Sequence, residues 1–220
     1  MLNRILLMTL FLGGCSVPLP AENLRFKTLS IRDGLSQNSI NGVIQDLKGF
    51  LWIGTQDGLN RYDGYSFRVY KNDPTDPTSI SDNYINDMIL DSSGMIWLGT
   101  GEGLNRYDPR LDRFVRYYAK NVPGNNLTDN RVTALFESPS RPGIIWIGSE
   151  RGLDSLDVAT GQFFHFQEKK GTPNSLTDNH IQCIYEAPSM PGLLWLGTRN
   201  GLSRLNMETG AVDHYAAVQA

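Results

Sequence analysis

The side chains best able to do chemistry in this sequence sit in four short loop pairs. They are Gln56-Asp57, Gly101-Glu102, Glu150-Arg151 and Arg199-Asn200. Glu102 and Glu150 are the kind of carboxylates that glycoside hydrolysis would use as acid and base. Nothing in their spacing ties one to the other, and any acidic chain offers two acids. Asp87 interrupts an otherwise apolar stretch. It reads either as facing a wet central channel or as a site residue. The three histidines, His165, His180 and His214, lack metal-ligand spacing. No Gly-rich phosphate loop and no Ser-His-Asp arrangement is recognisable. The chemistry on offer is therefore recognition: no catalytic residue, no metal and no cofactor is expected. Carboxylates, guanidinium groups and amides together suit a sugar or another polar small molecule.

Composition narrows the class. The chain has 220 residues, with 20 Lys+Arg against 23 Asp+Glu and a net charge of −3. It is 40% hydrophobic and 20% charged, which is globular rather than disordered. The near-neutral balance argues against nucleic acid as a partner. Residues 1–15 read as a signal peptide with a possible lipobox: Arg4, the short apolar run Ile5–Leu12, then small residues. Leu12-Gly13-Gly14-Cys15 has the order of a bacterial lipobox, with Cys15 the lipidated residue. The alternative is an ordinary signal cut after Ser16. Either way the expected location is outside the cytoplasm, periplasmic and membrane-bound only through a lipid. Cys183 is then a lone thiol, read as a small core hydrophobe.

The elements that must hold those loops come from an internal repeat. All four Trp fall in one motif: Leu51-Trp52-Ile53-Gly54-Thr55, Ile96-Trp97-Leu98-Gly99-Thr100, Ile145-Trp146-Ile147-Gly148-Ser149 and Leu194-Trp195-Leu196-Gly197-Thr198. The Trp are 45, 49 and 49 residues apart. A Gly-Leu pair follows each motif, and Asn38, Asn83, Asn130 or Asn179 precedes it. Those Asn are read as turn residues bonding local backbone. A period near 45 residues with four short strands is the signature of a propeller blade. The fold expected is an all-β propeller of four four-stranded antiparallel blades, about 34–73, 78–121, 126–169 and 175–218, within 22–220. In the first repeat the strands are Ser39–Asp46 (A, innermost), Phe50–Thr55 (B), Leu59–Tyr62 (C) and Ser66–Lys71 (D). The third A-strand position is small in three repeats (Gly42, Ala134, Cys183), which fits strands converging on an axis. The Trp is expected to wedge between blades. The loops that vary on a repeating scaffold are the natural place for a ligand.

One count does not close. Leu24–Leu29 resembles a fifth outer strand beside four complete blades. The surplus strand asks for a further blade, or else four blades close and it packs elsewhere. The first option makes the propeller incomplete. It leaves open blade faces for a protein partner or self-association.

The first repeat carries Gly34-Leu35-Ser36-Gln37-Asn38-Ser39-Ile40, then Asp46-Leu47-Lys48-Gly49-Phe50-Leu51-Trp52-Ile53-Gly54-Thr55, then Gly58-Leu59-Asn60-Arg61-Tyr62-Asp63. This series resembles the two-component regulator propeller repeat, and the resemblance spans about residues 24–216. The third and fourth repeats depart in the A–B turn (Ser138–Gly143 and Pro188–Gly192) and after Gly-Leu (Asp154-Ser155-Leu156 and Ser203-Arg204-Leu205). These departures are expected to touch turns and edges only. The resemblance implies the extracytoplasmic input region of a bacterial sensor. In that family two propellers, an immunoglobulin-like domain and a membrane helix precede a cytoplasmic histidine kinase or diguanylate cyclase. It implies ligand sensing, with a lipid-anchored interaction scaffold as the alternative. Asp46–Trp52 and Asp91–Trp97 also resemble the Asp-box of glycosidase propellers, which is a turn far from catalysis.

Overall fold

The computed structural model describes residues 26–120, 125–169, 172 and 175–215. The leader and Cys15 lie outside them. Sixteen strands form four separate antiparallel sheets, each ordered from an inner to an outer strand. The first blade is β1 (Ile40–Gln45), β2 (Leu51–Thr55), β3 (Gly58–Tyr62) and β4 (Phe67–Tyr70). The second is β5 (Ile85–Leu90), β6 (Ile96–Thr100), β7 (Gly103–Asp108) and β8 (Arg113–Tyr117). The third is β9 (Val132–Glu137), β10 (Ile144–Ser149), β11 (Leu153–Asp157) and β12 (Gln162–Phe166). The fourth is β13 (Ile181–Glu186), β14 (Leu193–Thr198), β15 (Gly201–Asn206) and β16 (Val212–Tyr215). A single 3-10 turn, Ile31–Asp33, is the one helical element among the described residues. The repeat is thus an all-β propeller arc, as its sequence period requires.

A single blade is one sheet thick and cannot bury its own apolar face, so the core lies between blades. Trp52 stacks on Tyr70 of its own blade and meets Tyr107 of the next at 4.8 Å between ring centroids. Trp97 packs with Leu127, Val132 and Leu135, and Trp146 with Leu176, Ile181 and Ile184. The Trp is the wedge between blades. The Gly two residues later makes room for the next inner strand: a Cβ on Gly99 would lie 2.6 Å from Val132 Cγ1. The same contact explains the small third position of the inner strand. A Cβ on Gly42 would lie 2.9 Å from Met88 Cγ, so the constraint is the next blade rather than the axis.

Each inner strand carries a bulge after its first residue. The bulged residue leaves the ladder, which re-aims its side chain. Asn41 Nδ2 donates to the Ile85 carbonyl at 2.7 Å, Asn86 Nδ2 to that of Val132 at 2.7 Å, and Thr133 Oγ1 to that of Ile181 at 2.6 Å. The same latch thus fastens three successive inner strands. Asp87 adds to the second junction. Its carboxylate accepts from the N–H of Leu135 in the next blade at 2.7 Å and from the N–H of Met88 at 2.8 Å. Burial pushes its pKa up, and the two N–H groups oppose the shift only in part. Asp87, half-buried, thus clips two blades together.

The A–B turns differ in what they hold. Asp46 and Asp91 accept backbone N–H groups of their own turns, and they also accept the indole N–H of Trp52 and Trp97 at 2.8 and 2.7 Å. Ser138 and Ala187 replace them in the later repeats. Trp146 Nε1 is consequently buried with no hydrogen-bond partner. That departure reaches the core, contrary to the expectation that only turns and edges change. Glu186 binds the preceding blade's turn: the Ser138 and Ser140 hydroxyls donate to it at 2.5 Å each, and the N–H of Gly192 in its own blade at 2.6 Å. Burial pushes the Glu186 carboxyl up, but these donors prevail and hold it below the ordinary 4.5. Glu137, at the same repeat position, grips Ser92 of the preceding blade in the same way, through its N–H at 2.6 Å and its hydroxyl at 2.8 Å.

The described part of the surplus strand, residues 26–29, joins none of the four sheets, each of which has its own outer strand, and Phe26 is exposed. One further expectation is corrected: Cys183 is exposed rather than core, on a side of the fourth blade that no other described blade covers.

Replacing Asp91 by Ala removes a buried charged acceptor and orphans the Trp97 indole. Urea unfolding should show a loss of about 2–4 kcal/mol. Glu186→Gln should be less stable at neutral pH. A carboxylate held below its unfolded pKa stabilises the fold above about pH 4.5, and that contribution is lost as the pH falls through the folded value. The gap between wild type and Glu186→Gln in urea midpoint should therefore narrow in acid.

Candidate functional site

The B–C and D–A loops share one end of every blade, and the connections there are tightly specified. Asn83, Asn130 and Asn179 each accept, through Oδ1, a backbone N–H from the end of the preceding outer strand: Asn72, Ala119 and Glu168, at 2.7, 2.7 and 2.6 Å. Asn38 does the same for Ile31 at 3.1 Å. These Asn hold backbone, as their repetition implies. Beneath them, strand C contributes a buried polar residue to each D–A loop. Asn60 accepts the Ser36 N–H and Asn105 the Ser81 N–H, both at 2.8 Å.

With the backbone fixed, the side chains above it form a rim. Gln56 Nε2 donates to the Tyr84 hydroxyl at 3.3 Å, across from the first blade to the second. Glu150 pairs with Arg131 at 3.3 Å. The N–H of Arg199 donates to the carbonyl of His180 at 3.2 Å. Glu102, Arg151, Arg199 and Asn200 have exposed side chains at their turns. Asp57 pairs with Lys71 of its own outer strand at 2.7 Å. The rim thus combines Gln56, Glu102, Glu150, Arg199 and their neighbours with a second set. The second set is the residue just before each inner strand: Ser39, Tyr84, Arg131 and His180. The sequence carries a signal for them. Each follows the repeated Asn, and each is chemically different.

The third blade departs from this plan. Asp154 replaces Asn and is fully buried. Its carboxylate accepts the Thr128 hydroxyl at 2.5 Å, the Thr128 N–H at 2.8 Å and His165 Nδ1 at 2.7 Å. A hydroxyl, an imidazole and a carboxylate are together, yet the geometry is not that of a nucleophile triad. Thr128 and Asp154 both approach the same ring nitrogen, Nδ1, and the Thr hydroxyl is spent on the carboxylate. A triad needs the hydroxyl at the opposite nitrogen. His165 also lines a cleft of about 160 Å³ with Phe166, Gln167, Lys169 and Ser175. Among the described residues no cluster of His, Cys, Asp or Glu could hold a metal ion. No helix there is long and apolar enough to cross a membrane.

The fold and the repeat define the class: a propeller arc with a variable rim on a repeated scaffold. Residues 79–102 match the model of the two component regulator propeller, so the chain carries that repeat. It is 33% identical to the extracellular domain of a hybrid two component system from B. thetaiotaomicron, with a TM-score of 0.77. That alignment covers 86% of this chain and 26% of the other. A second B. thetaiotaomicron extracellular domain, from a one component system, is 25% identical at a TM-score of 0.68, covering 84% of this chain and 26% of the other. A histidine kinase of Formosa agariphila is 52% identical over 60 residues, which is 27% of this chain and 4% of that protein. The chain therefore spans about a quarter of the two solved domains and far less of the kinase. An ancestral GH74 enzyme, 12% identical at a TM-score of 0.56, shares the fold alone.

Asp154→Asn installs the residue that the first two blades hold, and Thr128 Oγ can then accept as Ser36 and Ser81 do. It should cost about 1 kcal/mol or less. Asp154→Ala removes the acceptor of the Thr128 N–H and empties a fully buried position, and should cost about 2–3 kcal/mol. Thermal unfolding of both variants checks the order.

Proposed function

We propose that this chain is a non-catalytic, extracytoplasmic ligand-sensing module of a bacterial two-component type signalling system. The observation that carries the reading is the rim. One scaffold is repeated four times, and at the ligand-facing end each repeat presents a different polar set. A structural role alone would not call for Ser39, Tyr84, Arg131 and His180 at one position. The likeness to extracellular domains of signalling systems supports the location, and the lipobox order before Cys15 supports a lipid anchor. The ligand class that fits is a polar small molecule or glycan. Tyr84 would stack on a sugar face, and Arg131, Glu150, Arg199 and Asn200 would bond its hydroxyls. Glu150 is engaged by Arg131, which suits binding better than proton transfer.

The test is a panel of neutral and acidic oligosaccharides titrated against the chain by calorimetry. Tyr84→Ala or Arg199→Ala should weaken the best ligand about tenfold or more, a loss of about 1.4 kcal/mol. Binding indifferent to both variants, or no binding at millimolar sugar, would overturn the reading.

A further inference from the structure

At the end opposite the rim, two of the three blade junctions are closed in the same way and the first is not. The inner-strand residue that pairs with the residue before the Trp is Glu137 in the third blade, Glu186 in the fourth and Leu90 in the second. Glu137 accepts the N–H of Gly143 in its own A–B turn, and the N–H and hydroxyl of Ser92 in the turn before it. Glu186 joins Gly192 to Ser138 and Ser140 in the same manner. At the first junction Leu90 stands in place of the glutamate and Leu47 in place of Ser92, so no such tie can form. Leu90 packs against the core of that junction. Leu47 does not: it is 83% exposed and leans across to the next blade, where a Cβ on Gly94 would lie 2.9 Å from its Cδ1. The untied seam holds a cleft of about 340 Å³. Leu47 and Lys48 line it from the first blade, Met95 and the buried Ile96 from the second, and Pro109 and Arg110 from the second blade's C–D turn.

We propose that this cleft binds a small amphipathic anion, a carboxylate that carries an aliphatic or aromatic tail. The cleft lies between two described blades, at the far end from the rim, and the proposal is independent of the ligand reading given above. Four of its side chains are apolar: Leu47, Met95, Ile96 and Pro109. A leucine left in water gains free energy once a tail covers it. Three side chains in the lining carry charge. Two are the cations Lys48 and Arg110, and neither pairs with a carboxylate among the described residues. The third, Asp46, is spent on its own turn and strand. It accepts the Trp52 indole N–H at 2.8 Å and the N–H groups of Lys48 and Phe50 at 2.9 and 3.0 Å. The charge left to meet a ligand is therefore positive. An acid head would find two unpaired cations, and its tail the apolar wall. The volume is at the low end of the range of about 300–1,000 Å³ for small-molecule sites, which suits one short tail.

The probe is octanoate, titrated by calorimetry into the full chain, with octylammonium as its cationic counterpart. Octanoate should bind with a stoichiometry of one, and octylammonium about tenfold or more weaker. Lys48→Gln and Arg110→Gln, both at exposed positions, should each weaken octanoate and leave octylammonium unchanged. Leu47→Ser with Leu90→Glu installs the pair that ties the second junction, and should close the cleft and abolish binding. Leu47→Ser alone changes an exposed residue and should weaken binding whether or not the double variant folds. The Trp52 indole N–H, held by Asp46 in the cleft lining, gives a local readout. Its NMR signal should move with octanoate in step with the calorimetric binding. Octanoate held no better than octylammonium would overturn the proposal. So would no binding at roughly millimolar octanoate, binding indifferent to both Leu47→Ser and Lys48→Gln, or a Trp52 signal that stays still at saturation.

Discussion

The contact between one blade's Trp and the next blade's inner strand is the interaction on which everything else depends. A four-stranded sheet with water on both faces is not stable alone, so each blade borrows its interior from its neighbour. The indole supplies the area, and the Gly two residues on supplies the close approach. The bulged residue then ties the strands together where the ladder hydrogen bonds of a sheet cannot reach. The loops are held to the same frame by the Asn before each inner strand. The rim is therefore rigid because the core beneath it is shared between blades.

The repeats reach one fold by two different polar solutions. The first two blades fix the indole with an Asp that also shapes its own turn. The third gives up that acceptor and leaves its indole N–H unpaired, while the outside grip of the next blade's glutamate is kept, Glu137 on the second turn and Glu186 on the third. An exchange occurs under the D–A loops, where Asn–Ser pairs give way to Asp154, Thr128 and His165. In each case a backbone N–H that a buried loop must satisfy stays satisfied, while the side chain that satisfies it changes. At the outer edge of the first junction Asp112, at a φ of 54°, gathers the hydroxyls of Tyr70 and Tyr107 and the guanidinium of Arg68. Burial pushes its carboxyl up, and those three donors overcome it and hold the carboxyl low.

Much of this was legible in the sequence because the repeat shows it four times. The Trp spacing gave blade number and strand order, and the four Asn announced turn residues. What stayed hidden were partners about one repeat away. Asp87 looks like a lone acid until Leu135 of the next blade is brought to it. Asn41, Asn86 and Thr133 look like ordinary polar strand residues, since nothing within a repeat marks them as latches. Trp146 reads like its fellows because its loss is an absence in another segment. Cys183 reads as core because it is small, like Gly42 and Ala134 at the same repeat position, which sit close to a following blade. The rim was half seen: the B–C pairs vary visibly, whereas Tyr84, Arg131 and His180 lie in the shadow of the Asn beside them.

The latch has a consequence for descent. Its acceptor is a main-chain carbonyl, which every amino acid supplies, so a blade does not need a matching side chain on its neighbour to be fastened. Gene duplication, deletion or reshuffling of whole blades would leave that bond intact wherever a new boundary fell. Selection acting on rim residues then need not wait for compensating changes at the seams. A lineage of such proteins is free to diversify its surface quickly while its scaffold barely changes.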